Sequence, residues 1–266
     1  MNWRTAVVLV IAAGGCDRVL GLTEREPDAA PPLIDAQSCF GSGTLALCLV
    51  EPTPDELVYV AGTMTTIDTT PSAMSSCLAY TGGEPDLCVI GATTLRIDGE
   101  LKASGPRPLV LVGSTVTITG TVTVASNAFA AGAGAQPDEC MFGSAATAVG
   151  GGGSGEMIVI DVQTFALGPT AGVFANGGGG GEGGGTTTAG RNGESPSVAS
   201  TAALGGINGT TGGGQGGNGS AGATLFGGIG RNGNAVSGGG GGGGGAGVIR
   251  FVKPPTGSAV VSPAPT

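Results

Sequence analysis

The chain of 266 residues has no histidine, one tryptophan and two tyrosines, and only 11% of its residues are charged. Each shortage removes a class of chemistry. Without histidine, neither a Ser-His-Asp nor a Cys-His arrangement can be built, which excludes hydrolases that activate their nucleophile that way. A four-thiolate zinc site would need a close pair such as CxxC, and the six cysteines contain none. Ten basic residues against nineteen acidic ones, with no basic cluster, leave no electrostatic footprint for DNA or RNA, so no nucleic-acid partner is expected.

What the chain does have is glycine, 57 residues of it, and the charge is laid down unevenly around it. Of the 19 carboxylates only Glu182 and Glu194 follow Asp161, and the glycine-rich half also carries Arg191, Arg231, Arg250 and Lys253, which leaves it near neutral. Calcium-binding nonapeptide rolls need an aspartate in each repeat, and none occurs after Asp161. Matches to GxGxxG are plentiful, but runs of glycine generate them and no acidic residue follows at the expected distance. Residues 150–156 lack the lysine of a phosphate-binding loop. No cofactor and no metal is expected.

The strongest structural signal is a repeat of 21 residues, in which 89–105 aligns without gaps on 110–126. Leu95 matches Val116, Ile97 matches Ile118, Gly99 matches Gly120, Leu101 matches Val122 and Ala103 matches Val124. Apolar alternation on both sides of a glycine reads as two short strands joined at a corner. A degenerate third copy starts at Met157 and runs through Phe165, Leu167, Gly172 and Phe174, with extra residues around Pro169; Val248 to Val252 reads as a closing strand. The expected fold is therefore all-β, a right-handed parallel β-helix-like scaffold with long glycine-rich loops that are partly low-complexity. For 177–247 the default expectation is no fixed structure, because ordered glycine loses much backbone entropy and few large side chains offset that cost. Packed polyproline-II-like strands are the alternative, since Gly206, Gly209 and Gly212, then Gly213, Gly216, Gly219 and Gly222, recur at a spacing of three.

At the N-terminus, Arg4 precedes a short apolar run from Thr5 to Ala13, and Gly14-Gly15-Cys16 follows. The run is about half the length of a membrane span, which suits a secretory signal ending in a lipobox-like cleavage site. This segment resembles those of bacterial lipoproteins, in which the first mature cysteine is lipidated, although Ala13 stands where that pattern prefers leucine. Lipidation of Cys16 is the expectation; ordinary cleavage after Ala12-Ala13-Gly14 is the alternative. Export would place the remaining cysteines where disulfides persist. Cys39 with Cys48 and Cys77 with Cys88 would close the shortest loops, leaving Cys140 as the unpaired candidate, though spacing alone fixes no connectivity. The expected organisation is a signal peptide at 1–15, a lipid-anchored polar tether at 16–37 and a cysteine-containing strand or cap region at 38–88. Repeats at 89–176, a glycine-rich excursion at 177–247, a closing strand at 248–253 and a flexible tail at 254–266 complete it.

Candidate chemistry is sparse. Asp55-Glu56 and Asp138-Glu139 are paired acids, but neighbours on a strand face opposite ways, so neither makes a glycosidase dyad. Arg96, Asp98, Glu100 and Lys102 alternate along one repeat and are expected on one exposed face, either as solubilising charge pairs or as part of a carbohydrate site. The threonines at 115, 117, 119, 121 and 123 follow strand propensity. No catalytic residue is assigned.

Taken together, Cys16-Asp17, the 39–43 segment CFGSG, LVLVGSTVTITGTVTVAS, GVFANGGGGGEGG and the closing GGGGGGGGAGVIRFV resemble uncharacterised glycine-rich lipoproteins of myxobacteria; the compositional similarity to PE-PGRS proteins is weaker. The resemblance implies an architecture and no catalytic residues. The function expected is a non-enzymatic cell-envelope lipoprotein with a structural or surface-interaction role. It would be held to a bacterial membrane by its N-terminal lipid, with surface polysaccharide or other envelope proteins as partners. The alternatives are a carbohydrate-binding or polysaccharide-degrading protein and a freely secreted glycine-rich protein.

Overall fold

The computed structural model describes residues 39–40, 47–50, 53–71, 76–81, 86–125, 153, 155–185, 187–207 and 212–266. Among these there is no helix. The strands are β1 (Cys39–Phe40), β2 (Leu47–Leu49), β3 (Glu56–Tyr59), β4 (Met64–Asp68), β5 (Tyr80–Thr81), β6 (Cys88–Ile97), β7 (Glu100–Ser104), β8 (Leu109–Ile118), β9 (Thr121–Thr123), β10 (Met157–Leu167), β11 (Gly172–Phe174), β12 (Val248–Phe251), β13 (Thr256–Gly257) and β14 (Val260–Ser262).

A six-stranded parallel sheet runs in the order β12-β10-β8-β6-β3, with β13 beside β10, and a five-stranded parallel sheet runs β14-β11-β9-β7-β4. The 21-residue repeat becomes the hydrogen-bond register itself: Leu95 pairs with Val116, Ile97 with Ile118 and Leu101 with Val122. Between the paired strands the glycine corners stack. Gly99 and Gly120 both receive a preceding turn so closely that a β-carbon on Gly120 would lie 2.0 Å from the Gly99 carbonyl oxygen. Inward side chains of both sheets, among them Leu95, Ile97, Leu101, Ile118, Val122, Ile160 and Val173, form one core. Each such side chain stabilises by about 1.5–3 kcal/mol on burial.

The long strands change face midway. In β6 the core residues are Ile90 and Ala92 before Thr93, then Leu95 and Ile97 after it, and the registers skip Thr93, Ser114 and Gln163 alike. Their first halves are buried on both sides, because β1, β2 and β5 form a small antiparallel sheet over the outer face. Leu47, Leu49, Leu87, Val89, Val110, Val112 and Val159 make a second core there. Cys39–Cys48 joins β1 to β2, and Cys77–Cys88 ties the preceding loop to β6. The pairing that closes the shortest loops is thus the pairing found; Cys16 and Cys140 lie outside the described residues.

Two expectations need correcting. The scaffold is not a right-handed parallel β-helix with glycine-rich loops. It consists of two parallel sheets of six and five strands with a small antiparallel sheet laid on one of them. A repeat dictates in-register parallel pairing between neighbouring copies, but not how the strands of one copy close around a core. β3 and β4, expected within the cysteine region 38–88, are edge strands of the parallel sheets, paired with β6 and β7.

The second correction concerns 177–247, whose described residues form a hydrogen-bonded slab. The N–H groups of 177, 180 and 183 donate to the carbonyls of 220, 217 and 214, while those of 179 and 182 donate to 194 and 191. On a further side, the carbonyls of 184, 181, 178 and 175 accept from 238, 241, 244 and 247. This period of three matches the three residues per turn of polyproline II, so one strand can bond neighbours in three directions where a β-strand has two. The segments 203–206, 214–219 and 228–234 join the same lattice. Glycine is obligatory inside it, since a β-carbon on Gly216 would lie 1.9 Å from the Gly180 carbonyl oxygen and one on Gly213 would lie 1.7 Å from that of Gly183. The absent side chains contribute no packing of their own, but their absence permits main-chain bonds and close backbone packing that offset the entropy glycine loses.

Gly216→Ala is therefore expected to destabilise the protein by more than the roughly 1 kcal/mol typical of point variants, since backbone must move. Gly242→Ala should change stability by under about 0.5 kcal/mol, because the nearest atom to its added β-carbon is 3.7 Å away. Urea unfolding midpoints of the two variants provide the comparison.

Candidate functional surface

The slab sorts its residues by register. In the 225–233 segment a β-carbon on Gly227, Gly230 or Gly233 would meet the backbone of 238–243, and Gly228 lies against Asn218. The third register carries Phe226 and Ile229, which are 84% and 92% exposed, and the exposed Asn232. Leu204 and Ile207 stand out in the same way from the 203–207 segment, and Leu225, Val198 and Val236 are exposed nearby in sequence. Phe226 and Ile229, held outward at a three-residue interval, are the most exposed of the large apolar side chains among the described residues, and contiguous apolar exposure is a mark of interaction sites.

Where the slab meets the sheets, polar groups are buried and bonded. Asn176 donates through Nδ2 to the Ser197 and Ala199 carbonyls at 3.0 and 2.8 Å, and accepts from the Ser262 hydroxyl at 2.6 Å. The Ser262 hydroxyl in turn accepts from the Gly222 N–H at 2.7 Å. Slab, its surface turns and β14 are thus joined through one buried amide. Glu182, also buried, accepts from the Arg191 N–H at 3.2 Å.

Glu156, immediately before β10, is only 6% exposed and its Oε1 makes no hydrogen bond. Desolvation pushes its carboxyl up to about 9, so the group is protonated at neutral pH. Its backbone is equally crowded: the carbonyl accepts from the Val248 N–H, and a β-carbon on Gly247 would lie 1.9 Å from that carbonyl oxygen. Asp161 is buried in the same strand.

The sequence candidates fare differently. Arg96 and Asp98 form an ion pair at 2.7 Å, and the Thr119 hydroxyl donates to the other Asp98 oxygen at 2.7 Å. Glu100 and Lys102, however, lie in β7, in the other sheet from Arg96, because the chain turns at Asp98-Gly99. The four charges therefore do not share one face, and the carbohydrate site that was the alternative reading of them is not assembled. Asp55 and Glu56 are exposed. Asp138 and Glu139 lie outside the described residues. Thr94, Thr115 and Thr164 are in register across three strands, a ladder on the outer face in which the repeat alignment already pairs Thr94 with Thr115 and the structure adds Thr164. Sequence reasoning missed Glu156 and the slab surface. The alternation Glu156, Ile158, Ile160 was a legible sign of the first, and the triplet spacing of Phe226, Ile229 and Asn232 of the second. Among the described residues no helix is long and apolar enough to cross a membrane, and no group of three or more metal-ligating side chains is found. No protein-family model, curated protein or solved structure matches this chain.

The raised Glu156 makes stability depend on pH with a definite sign. Unfolded, the group titrates near 4.5, and folded near 9, so between these values the folded state holds a proton that the unfolded chain releases. The Glu156 contribution to stability is greatest below the lower value, falls as pH rises through the interval and levels off above it. Glu156→Gln should remove this decline, measured as the change in urea midpoint between pH about 5 and about 8.

Proposed function

We propose that the chain is a cell-envelope protein, tethered through lipid on Cys16, whose role is structural or adhesive rather than catalytic and whose glycine slab is the surface presented to envelope partners. The observation that carries this reading is the fixed outward display of Phe226 and Ile229 on a slab whose charges, Glu182 and Glu194 against Arg191 and Arg231, balance. Two disulfides among the described residues support a compartment outside the reducing cytosol. Partners of this class are surface polysaccharide or other envelope proteins, which offer apolar or weakly polar surface to such side chains.

Two measurements test it. The intact mass of the protein extracted from its native membrane should include acyl chains that vanish in Cys16→Ala; an unmodified mass beginning near Gly15 would make it a freely secreted or periplasmic protein. Phe226→Ser combined with Ile229→Ser should weaken retention on purified envelope fractions by at least about tenfold, some 1.4 kcal/mol, with an unchanged unfolding midpoint. Undiminished retention would rule out the slab as the binding surface.

A further inference from the structure

The strand at 238–247 is bonded to several neighbours: its carbonyls at 238, 241 and 245 accept from the N–H groups of 214, 217 and 155. Its N–H groups at 238, 241, 244 and 247 donate to the 175–184 strand, and those at 240, 243 and 246 donate to 231, 228 and 225. The third set, at Gly239, Gly242 and Gly245, donates to nothing among the described residues. Gly239 and Gly242 are exposed and Gly245 is half-buried. The result is a row of free donors at the same three-residue spacing that pairs strands inside the slab.

Glycine at these three positions is not required by the fold. A β-carbon there would find its nearest neighbours at 3.6, 3.7 and 3.6 Å, which is ordinary contact. On neighbouring strands the exposed register is filled by Phe226 and Ile229 or by Leu204 and Ile207. Only on this strand is it left bare. Such an edge is ordinarily protected against pairing by charge or proline. The parallel-sheet edges have that protection in Glu56, Asp68, Arg250 and Lys253-Pro254-Pro255, whereas residues 232–247 contain neither charge nor proline.

We infer that the 238–247 strand is an association edge for a second copy of this chain, paired through Gly239, Gly242 and Gly245 as the slab's own strands are paired. The donors need carbonyls repeating every three residues, which a β-strand does not offer on one side and a glycine strand of this type does. The chain carries several such strands, so another copy supplies the complement and extends the lattice. The bare register lets backbone approach backbone, as at every internal contact of the slab.

The test uses the mature chain carrying Cys16→Ala, so that acyl chains cannot drive association and a failure of the membrane-anchor reading does not affect the result. Sedimentation velocity over a concentration series should show reversible dimers or larger species. Gly239→Pro with Gly242→Pro removes two donors at positions that lack the positive φ that would bar proline, and it should leave monomer. Gly242→Glu, which has room for its β-carbon, should weaken association at least about tenfold through the added charge. In the unsubstituted chain, amide exchange at Gly239, Gly242 and Gly245 should slow as concentration rises. A chain that stays monomeric throughout, association that both variants leave intact, or exchange at these amides that is fast at every concentration would overturn the inference.

Discussion

The slab rests on a single constraint: backbone carbonyls occupy the places where β-carbons would otherwise be. Gly180, Gly183, Gly216 and Gly217 each face a carbonyl oxygen within 2.2 Å of an added β-carbon. No other residue type satisfies that spacing. Once it is met, every buried strand can be bonded from several directions, and the lattice propagates through residues with no side chain to pack. The strand 175–184 leaves directly from β11, and 238–247 leads directly into β12, so the slab is continuous with both parallel sheets.

That continuity puts polar groups at the seam. Asn176 satisfies both its amide donors and its oxygen there, which is what a buried amide needs to avoid a desolvation cost. Glu156 meets the same problem differently, by remaining neutral. One junction is hydrogen-bonded throughout; the other is made tolerable by a retained proton.

The sequence was a good guide to pairing and a poor one to closure. Leu95 opposite Val116 and Leu101 opposite Val122 could be read directly, because a gapless repeat of alternating residues has one in-register solution. The extra residues near Pro169 were legible too: the offset between paired residues grows from 49 before them, at Phe165 and Val116, to 51 after them, at Gly172 and Thr121. Which sheet each strand joins was not legible, and for that reason Arg96 and Lys102 were placed on one face when the turn at Gly99 separates them. The glycines spaced by three pointed to ordered strands, but their phase slips between runs at the turns. The positive φ of Gly212 and of Gly222 marks two of those turns, a feature visible only in coordinates.

The division of registers within the slab separates two demands that most folds set against each other. Most positions facing a neighbouring strand hold glycine, with Ala203 and Ala246 as exceptions, while outward positions take phenylalanine, isoleucine, leucine or asparagine. Substitution along the outward register can therefore alter the chemistry of the exposed surface without entering the packing. A lineage could exchange one set of outward side chains for another there without passing through unstable intermediates.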